Sequence, residues 1–164
     1  FITLVNRKLY IVLVTSVIKR YYRCKQYSCQ QNEMKIEQHE QALEEHLNQI
    51  ERTIEEGVEE NQRNVAYNIS QGSVELFAMY LHKLHAIQGS GDQFDHRVFR
   101  SKNAVEKKIP FAFPHRKAIL DIMKNIQDER NALCYGSRKP KSRIEEMIQL
   151  FRKLQKIIED EQKE

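Results

Sequence analysis

At 164 residues, with 40% hydrophobic and 30% charged side chains, no Trp, 3 Pro and 5 Gly, the chain has material for one domain and one modest core. Ala, Leu, Glu, Lys, Gln and Ile dominate and strand alternation is scarce, which favours an all-α protein over any sheet-based class. The net charge of +4 divides into +5 for residues 1–33, −8 for 34–96 and +7 for 97–164, so a uniformly basic nucleic-acid binder is excluded. What remains is a basic second half facing an acidic first half, or the two blocks pairing with each other inside the domain or across a dimer.

Residues 1–33 differ in character from the rest of the chain. An apolar, β-branched run at 9–18, flanked by Arg7-Lys8 and Lys19-Arg20, spans about 15 Å as a helix, half of a bilayer core. No small-residue cleavage site succeeds it, so a secretory signal is not indicated. These residues are read as an N-terminal extension outside the domain, with Met34 as the natural start; a weak membrane anchor is the alternative. The domain itself is placed at 34–164. Three cysteines, Cys24, Cys29 and Cys134, suit neither a disulfide framework nor a zinc site, and reduced thiols in a cytoplasmic protein are the simplest account.

The helical pattern begins at Met34. Ile36, Leu43, Leu47, Ile50, Ile54 and Val58 form one apolar stripe on a helix that is otherwise Glu and Gln, and Gly57 marks a joint near its end. The segment from 61 to 87 carries Val65, Tyr67, Ile69, Val74, Leu76, Phe77, Tyr80, Leu81 and Leu84 on more than one face, as a central helix would. Residues 88–92 read as a turn. Residues 94–100 have no clear pattern, and a short helix is expected over about 101–108. Pro110 and Pro114 keep 109–114 out of helix. A long helix then runs from 114 or 115 to about 134, with Ile119, Leu120, Ile122, Met123, Ile126 and Leu133 inward and Gly136 as its stop. Ser142 and Glu145 have capping-box spacing for a final helix, whose inward residues include Ile144, Met147, Phe151 and Leu154. The expected architecture is four long helices plus one short helix in an up-and-down bundle.

Several constellations suit chemistry poorly. His82 and His85 are three apart but lack a carboxylate partner at matching spacing, and no metal site is expected. His39 and His46 read as solvated-face residues. Asn68-Ile69-Ser70 has the form of a glycosylation sequon but sits mid-helix. No P-loop, Gly-rich dinucleotide turn or nucleophile elbow is present, and no cofactor is implied. Two stretches are richer. Residues 95–102 pack His96, Arg97, Arg100 and Lys102 around Phe99 in a connector suited to holding phosphates. Residues 128–137 close the long helix with Arg130-Asn131 ahead of Tyr135-Gly136. Arg130 and Tyr135 are about 140° apart on an ideal helix and do not share a face. They converge only if Gly136 unwinds the last turn or a second subunit supplies the facing residue; otherwise this is an ordinary helix end.

Arg130-Asn131-Ala132-Leu133-Cys134-Tyr135-Gly136 resembles the Arg-Asn-x-Leu-Val-His-Gly form of the motif that marks the HEPN superfamily of helical bundles. The resemblance spans about 35–159, including the acidic first helix, the Gly57 joint and the His-bearing loop. It implies a homodimer whose paired motifs line a basic cleft, with RNA or a nucleotide as ligand. It also implies, for some members, metal-independent endoribonuclease activity of toxin or defence type and a nucleotidyltransferase-type antitoxin partner. Arg130, Asn131 and Tyr135 would occupy the catalytic positions, with His96, Arg97, Arg100 and Lys102 as candidate RNA or nucleotide ligands. Tyr135 stands where the family has its His, and Ser137 where the toxin subgroup has a Tyr. A phenol, with an ordinary pKa of about 10, is a poor base at neutral pH. The readings are therefore a binding module without turnover, an endoribonuclease, or a structural helical dimer; no membrane partner is expected.

Overall fold

The computed structural model describes residues 30–87 and 94–161, with side chains from residue 36 onward. The apolar run at 9–18, Cys24, Cys29 and the turn at 88–92 lie outside the described residues. Five α-helices and one 3-10 turn are present among the described residues. They are α1 (Gln30–Glu56), α2 (Gln62–Lys83), the 3-10 turn (His96–Arg100), α3 (Lys102–Lys108), α4 (Arg116–Tyr135) and α5 (Lys141–Glu161). The boundary expected between residues 33 and 34 falls inside α1. No helix among the described residues is long and apolar enough to cross a membrane.

The protein is an all-α bundle of four long helices, and the cross-helix contacts set their directions. His39 meets Glu75 while Thr53 meets Asn64, so α1 and α2 are antiparallel. Gln62 reaches Leu133 while Tyr80 reaches Pro114, so α2 and α4 are antiparallel. His115 pairs with Glu161, which sets α4 against α5. The order is up, down, up, down. Short joints at 57–61 and 136–140 suit antiparallel neighbours, and Gly57, at φ 107°, supplies a left-handed residue at the first.

Helix α2 is central, as its many-sided apolar pattern predicts. Of its 22 residues 16 are buried, and it packs against α1, α4, α5 and the 3-10 turn. Tyr67 and Leu84, expected inward, are exposed instead. On α1, Leu43, Leu47 and Ile50 are buried as expected, as is Val58 in the joint after it, but Ile54 is 37% exposed and Thr53 takes its place at 1%. A 3.6-residue period carries the stripe from 50 to 53 as readily as to 54, and a polar ladder selects 53. The Thr53 hydroxyl donates to the Gln49 carbonyl (2.7 Å) and accepts from Asn64 (3.3 Å); Asn68 donates to Asn64, and His46 pairs with Asn68 at 2.9 Å. The two histidines of α1 are accordingly not solvated. His39 is buried against Glu75 and His46 is half-buried on Asn68.

At the other joint, α5 begins at Lys141. Ser142 lies inside its first turn, and Glu145 pairs with Lys141 at 3.6 Å, so the expected capping box does not form. Ion pairs Arg143–Glu129, Lys124–Asp128 and Arg116–Glu106 each lie within the basic second half.

Phe77 of α2 ties the irregular segment between α2 and α4 to the core. Its ring lies 5.9 Å from Phe94, 5.8 Å from Phe99 and 5.6 Å from Phe113. The first two contacts are edge-to-face, the favoured arrangement for aromatic quadrupoles. Phe77→Ala should therefore lower the unfolding free energy by about 3–5 kcal/mol, read by urea denaturation.

Candidate functional site

The 3-10 turn presents its side chains in two rows, because residues three apart eclipse each other. Phe99 is buried against Phe77, and His96, in the same row, is half-buried. Arg97 and Arg100 form the exposed row. Asp95 starts the turn: its carboxylate accepts from the Arg97 amide at 2.7 Å, and the Arg97 guanidinium pairs with it. These bonds hold the Asp95 carboxyl well below its ordinary range, at about 2. Arg97 is thus turned to Asp95, whereas Arg100 reaches α4.

The last turns of α4 receive it. Arg100 Nη2 donates to Asn131 Oδ1 at 3.3 Å, Gln127 Nε2 donates to the same oxygen at 3.1 Å, and Arg130 Nη1 donates to it at 3.5 Å. An amide oxygen has two lone pairs, so one acceptor is shared among three donors. Two of the three are guanidinium groups that form no ion pair among the described residues. The two cations also settle which way the Asn131 amide points, since a flipped amide would aim its NH2 at both.

Arg130 is 5% exposed, and its Nε, fully buried, has no hydrogen-bond partner among the described residues. Its remaining support is the Tyr135 ring, whose centroid is 5.3 Å from the guanidinium carbon. That contact corrects the expectation that the two residues could not meet within one unbroken helix. The helix continues through Tyr135. Five residues rise about 7.5 Å along the axis, and a long Arg stem together with a ring on the terminal residue spans the offset. No unwinding and no second subunit is needed.

Gly136 ends α4 as expected, though for a reason the sequence does not show. Its φ is −95°, open to any residue, but a Cβ there would stand 2.8 Å from the Ala132 carbonyl oxygen. The final carbonyls of a helix lack intrahelical partners, and here α2 supplies them. Gln62, buried at the first turn of α2, donates to the Leu133 carbonyl at 2.6 Å and accepts from the Lys139 amide at 2.6 Å. Arg63 donates to the Cys134 carbonyl at 3.1 Å.

His96 sits in the field of this cluster. Burial, then the Arg130 charge, push its pKa below the ordinary 6.5; Asp95 opposes the shift, and Arg100 and Arg97 add to it. The ring is therefore neutral at pH 7. Its Nδ1 lies 3.2 Å from Asp95 Oδ1, so the proton belongs on Nδ1 and Nε2 is left as an acceptor. Cys134 is a free thiol whose pKa is raised by burial against the lowering effect of Arg130 and Arg63; it is not an activated nucleophile.

The structure thus gathers His96, Arg100, Arg130, Asn131 and Tyr135 on one chain. Lys102 opens α3, is exposed, and has no hydrogen bond or ion pair to Arg130 or Asn131 among the described residues. Gln127, Asp95 and Gln62 complete the arrangement and were not singled out by sequence. Gln127 lies one turn before Asn131, a helical neighbour that spacing alone could have nominated. Elsewhere His82 is buried beside His39, with 5.5 Å between rings, while His85 is exposed. They do not converge, and no group of three or more metal-type ligands occurs among the described residues. Compared with protein-family models, with curated proteins and with solved structures, the chain matched none.

The depressed His96 pKa has a measurable consequence. Because the folded value lies below the unfolded one, the unfolded state binds more protons as pH falls through 6.5, and folding stability declines on the acid side. Urea denaturation at pH 7.5 and 5.5 should show that loss in the wild type and less of it in His96→Gln. An identical pH dependence in the two proteins would contradict the assigned shift.

Proposed function

We propose that this chain is an RNA- or nucleotide-binding module of HEPN-like type, with Arg100, Arg130 and Asn131 as its phosphate-recognising group and His96 beside them. One observation carries the reading: three donors converge on Asn131 Oδ1, one of them from a buried guanidinium with no carboxylate among the described residues. Removing a cation from water without a charge partner is destabilising. A structural Arg at this depth would ordinarily have a carboxylate; a ligand-binding one leaves that place for the ligand. A phosphate offers several strong acceptor oxygens and opposite charge, and guanidinium matches it in a bidentate fork. The motif resemblance at Arg130-Asn131 supports the same positions. All the donors come from one chain, so phosphate recognition does not depend on the dimer that the resemblance implies.

Replacing Arg130 with Met separates binding from folding. The substitution removes the charge and keeps an unbranched side chain, so stability should stay within about 1 kcal/mol of wild type or rise. Fluorescence anisotropy with a labelled single-stranded RNA should show binding to the wild type and at least a tenfold loss in Arg130→Met. Arg100→Ala should reduce the slope of log K against log salt by about 0.7, the value for one phosphate no longer neutralised. Undiminished RNA and nucleotide binding by Arg130→Met would refute the proposal.

The Asp95–His96 pair supports a second reading, a metal-independent endoribonuclease. His96 Nε2 would take the proton from a ribose 2′-hydroxyl as that oxygen attacks the adjacent phosphorus. The bond to the 5′-oxygen breaks, that oxygen takes a proton from water, and His96 returns its proton to solvent. Labelled RNA incubated with the protein in EDTA should then yield 2′,3′-cyclic phosphate ends, and His96→Gln should abolish them while binding persists. Intact RNA after prolonged incubation would leave binding as the function.

A further inference from the structure

We infer that the Arg130 cluster selects a terminal phosphate carried on a nucleoside, as in a mononucleotide or the phosphorylated end of a single strand, over an internal phosphodiester. This rests on the phosphate-binding reading above and names its ligand.

The first ground is access. Arg130 is 5% exposed, lies over the Tyr135 ring and shares its acceptor with Arg100 and Gln127. A phosphate reaches that guanidinium only tip first. An internal diester has chain on both sides and two of its oxygens esterified, so two strands would have to leave through one narrow approach. A phosphomonoester is tethered on one side and leads with three free oxygens. A duplex with hydroxyl ends offers only internal diesters and is excluded on the same ground.

The second ground is charge. Arg100 and Arg130 bring two full positive charges with no carboxylate among the described residues, while Arg97 is already engaged by Asp95. A phosphomonoester carries about −1.5 to −2 at pH 7 and balances the pair; an internal diester carries only one negative charge and leaves a cation over.

The third ground is Tyr135. It is 72% exposed, far beyond what a large aromatic needs at a helix end, and the Arg130 guanidinium lies over its ring. The opposite ring face is free to stack a base, and such stacking is tolerant of base identity. Phosphate on the guanidinium groups and base on the phenol ring place a nucleoside phosphate across the end of α4. The Tyr in this position is therefore a ligand platform.

Binding to the full chain tests this directly. Anisotropy is measured with one labelled single-stranded RNA bearing a 5′-phosphate, a 3′-phosphate or hydroxyls at both ends, and with its hydroxyl-ended duplex. Thermal shift is measured with AMP, adenosine and inorganic phosphate. The inference expects a phosphorylated end or AMP to bind at least tenfold tighter than the hydroxyl-ended strand or adenosine, and the duplex to bind weakest. Tyr135→Ala, an exposed site whose loss leaves the core intact, should weaken AMP or the phosphorylated strand about tenfold and weaken inorganic phosphate by much less. Binding of AMP alone identifies a free nucleotide as the source, and binding of the strand alone identifies a nucleic-acid end. Equal affinity for phosphorylated and hydroxyl-ended strands, both lost in Arg130→Met, would overturn the terminal-phosphate inference and keep the phosphate-binding reading. Tyr135→Ala without effect on AMP or the phosphorylated strand would overturn the nucleoside part. Absence of any binding that depends on Arg130 would overturn both.

Discussion

Helix α2 gives water little beyond Tyr67 and its first turn, and that constraint arranges the molecule. A helix with 16 of 22 residues buried must be covered on nearly every side. Helices α1, α4 and α5 cover three of them, and the aromatic side chains of the 94–113 segment cover the rest through Phe77. The segment between α2 and α4 is therefore anchored by Phe94, Phe99 and Phe113. With Phe99 held in the core, the 3-10 turn can only present His96 and Arg100 along the outer side of α4. Packing in the core thus sets the position of polar groups that share no covalent neighbourhood.

Burial of Arg130 then works against stability. Its guanidinium is removed from water, is met by one shared amide oxygen and one aromatic ring, and leaves Nε without a partner among the described residues. The contrast with the same helix is instructive. Glu129, the preceding residue, holds Arg143 in a bidentate pair at 2.7 and 3.1 Å, so α4 has the means to satisfy a guanidinium and does so for another. An unsatisfied buried cation in a marginally stable domain calls for a reason to be retained, and the phosphate recognition proposed above would supply one.

The interface between α1 and α2 solves the opposite problem. It buries polar groups too, but each link of the chain from His46 through Asn68 and Asn64 to Thr53 has a partner. A satisfied network of this kind fixes the pairing of two helices. Toward α1, Asn64 and Asn68 of α2 are matched within the chain; toward α4, Gln62 and Arg63 hold the end of the helix that carries Arg130.

By itself the sequence determined the helices, their order and the central place of α2, because a 3.6-residue apolar period and Pro and Gly punctuation are local signals. It also marked Arg130, Asn131 and the 95–102 connector as candidates for chemistry, and Arg130, Asn131 and Arg100 of that connector meet in the fold. It did not distinguish Thr53 from Ile54 as the buried residue of α1, since the deciding bond comes from Asn64 on another helix. Nor did it show His39 as buried, for its partner Glu75 lies 36 residues away. Whether Arg130 could meet Tyr135, which cation would reach Asn131 and which would be held by Asp95, and that Gln127 joins them, were decided only by tertiary structure. Those outcomes depend on the reach of long side chains and on where Phe77 holds a turn whose Arg100 is 31 residues from Asn131 in sequence. A linear pattern encodes which face of a helix is apolar; it does not encode which charged groups the packing of that face will bring together, or leave without a counterion.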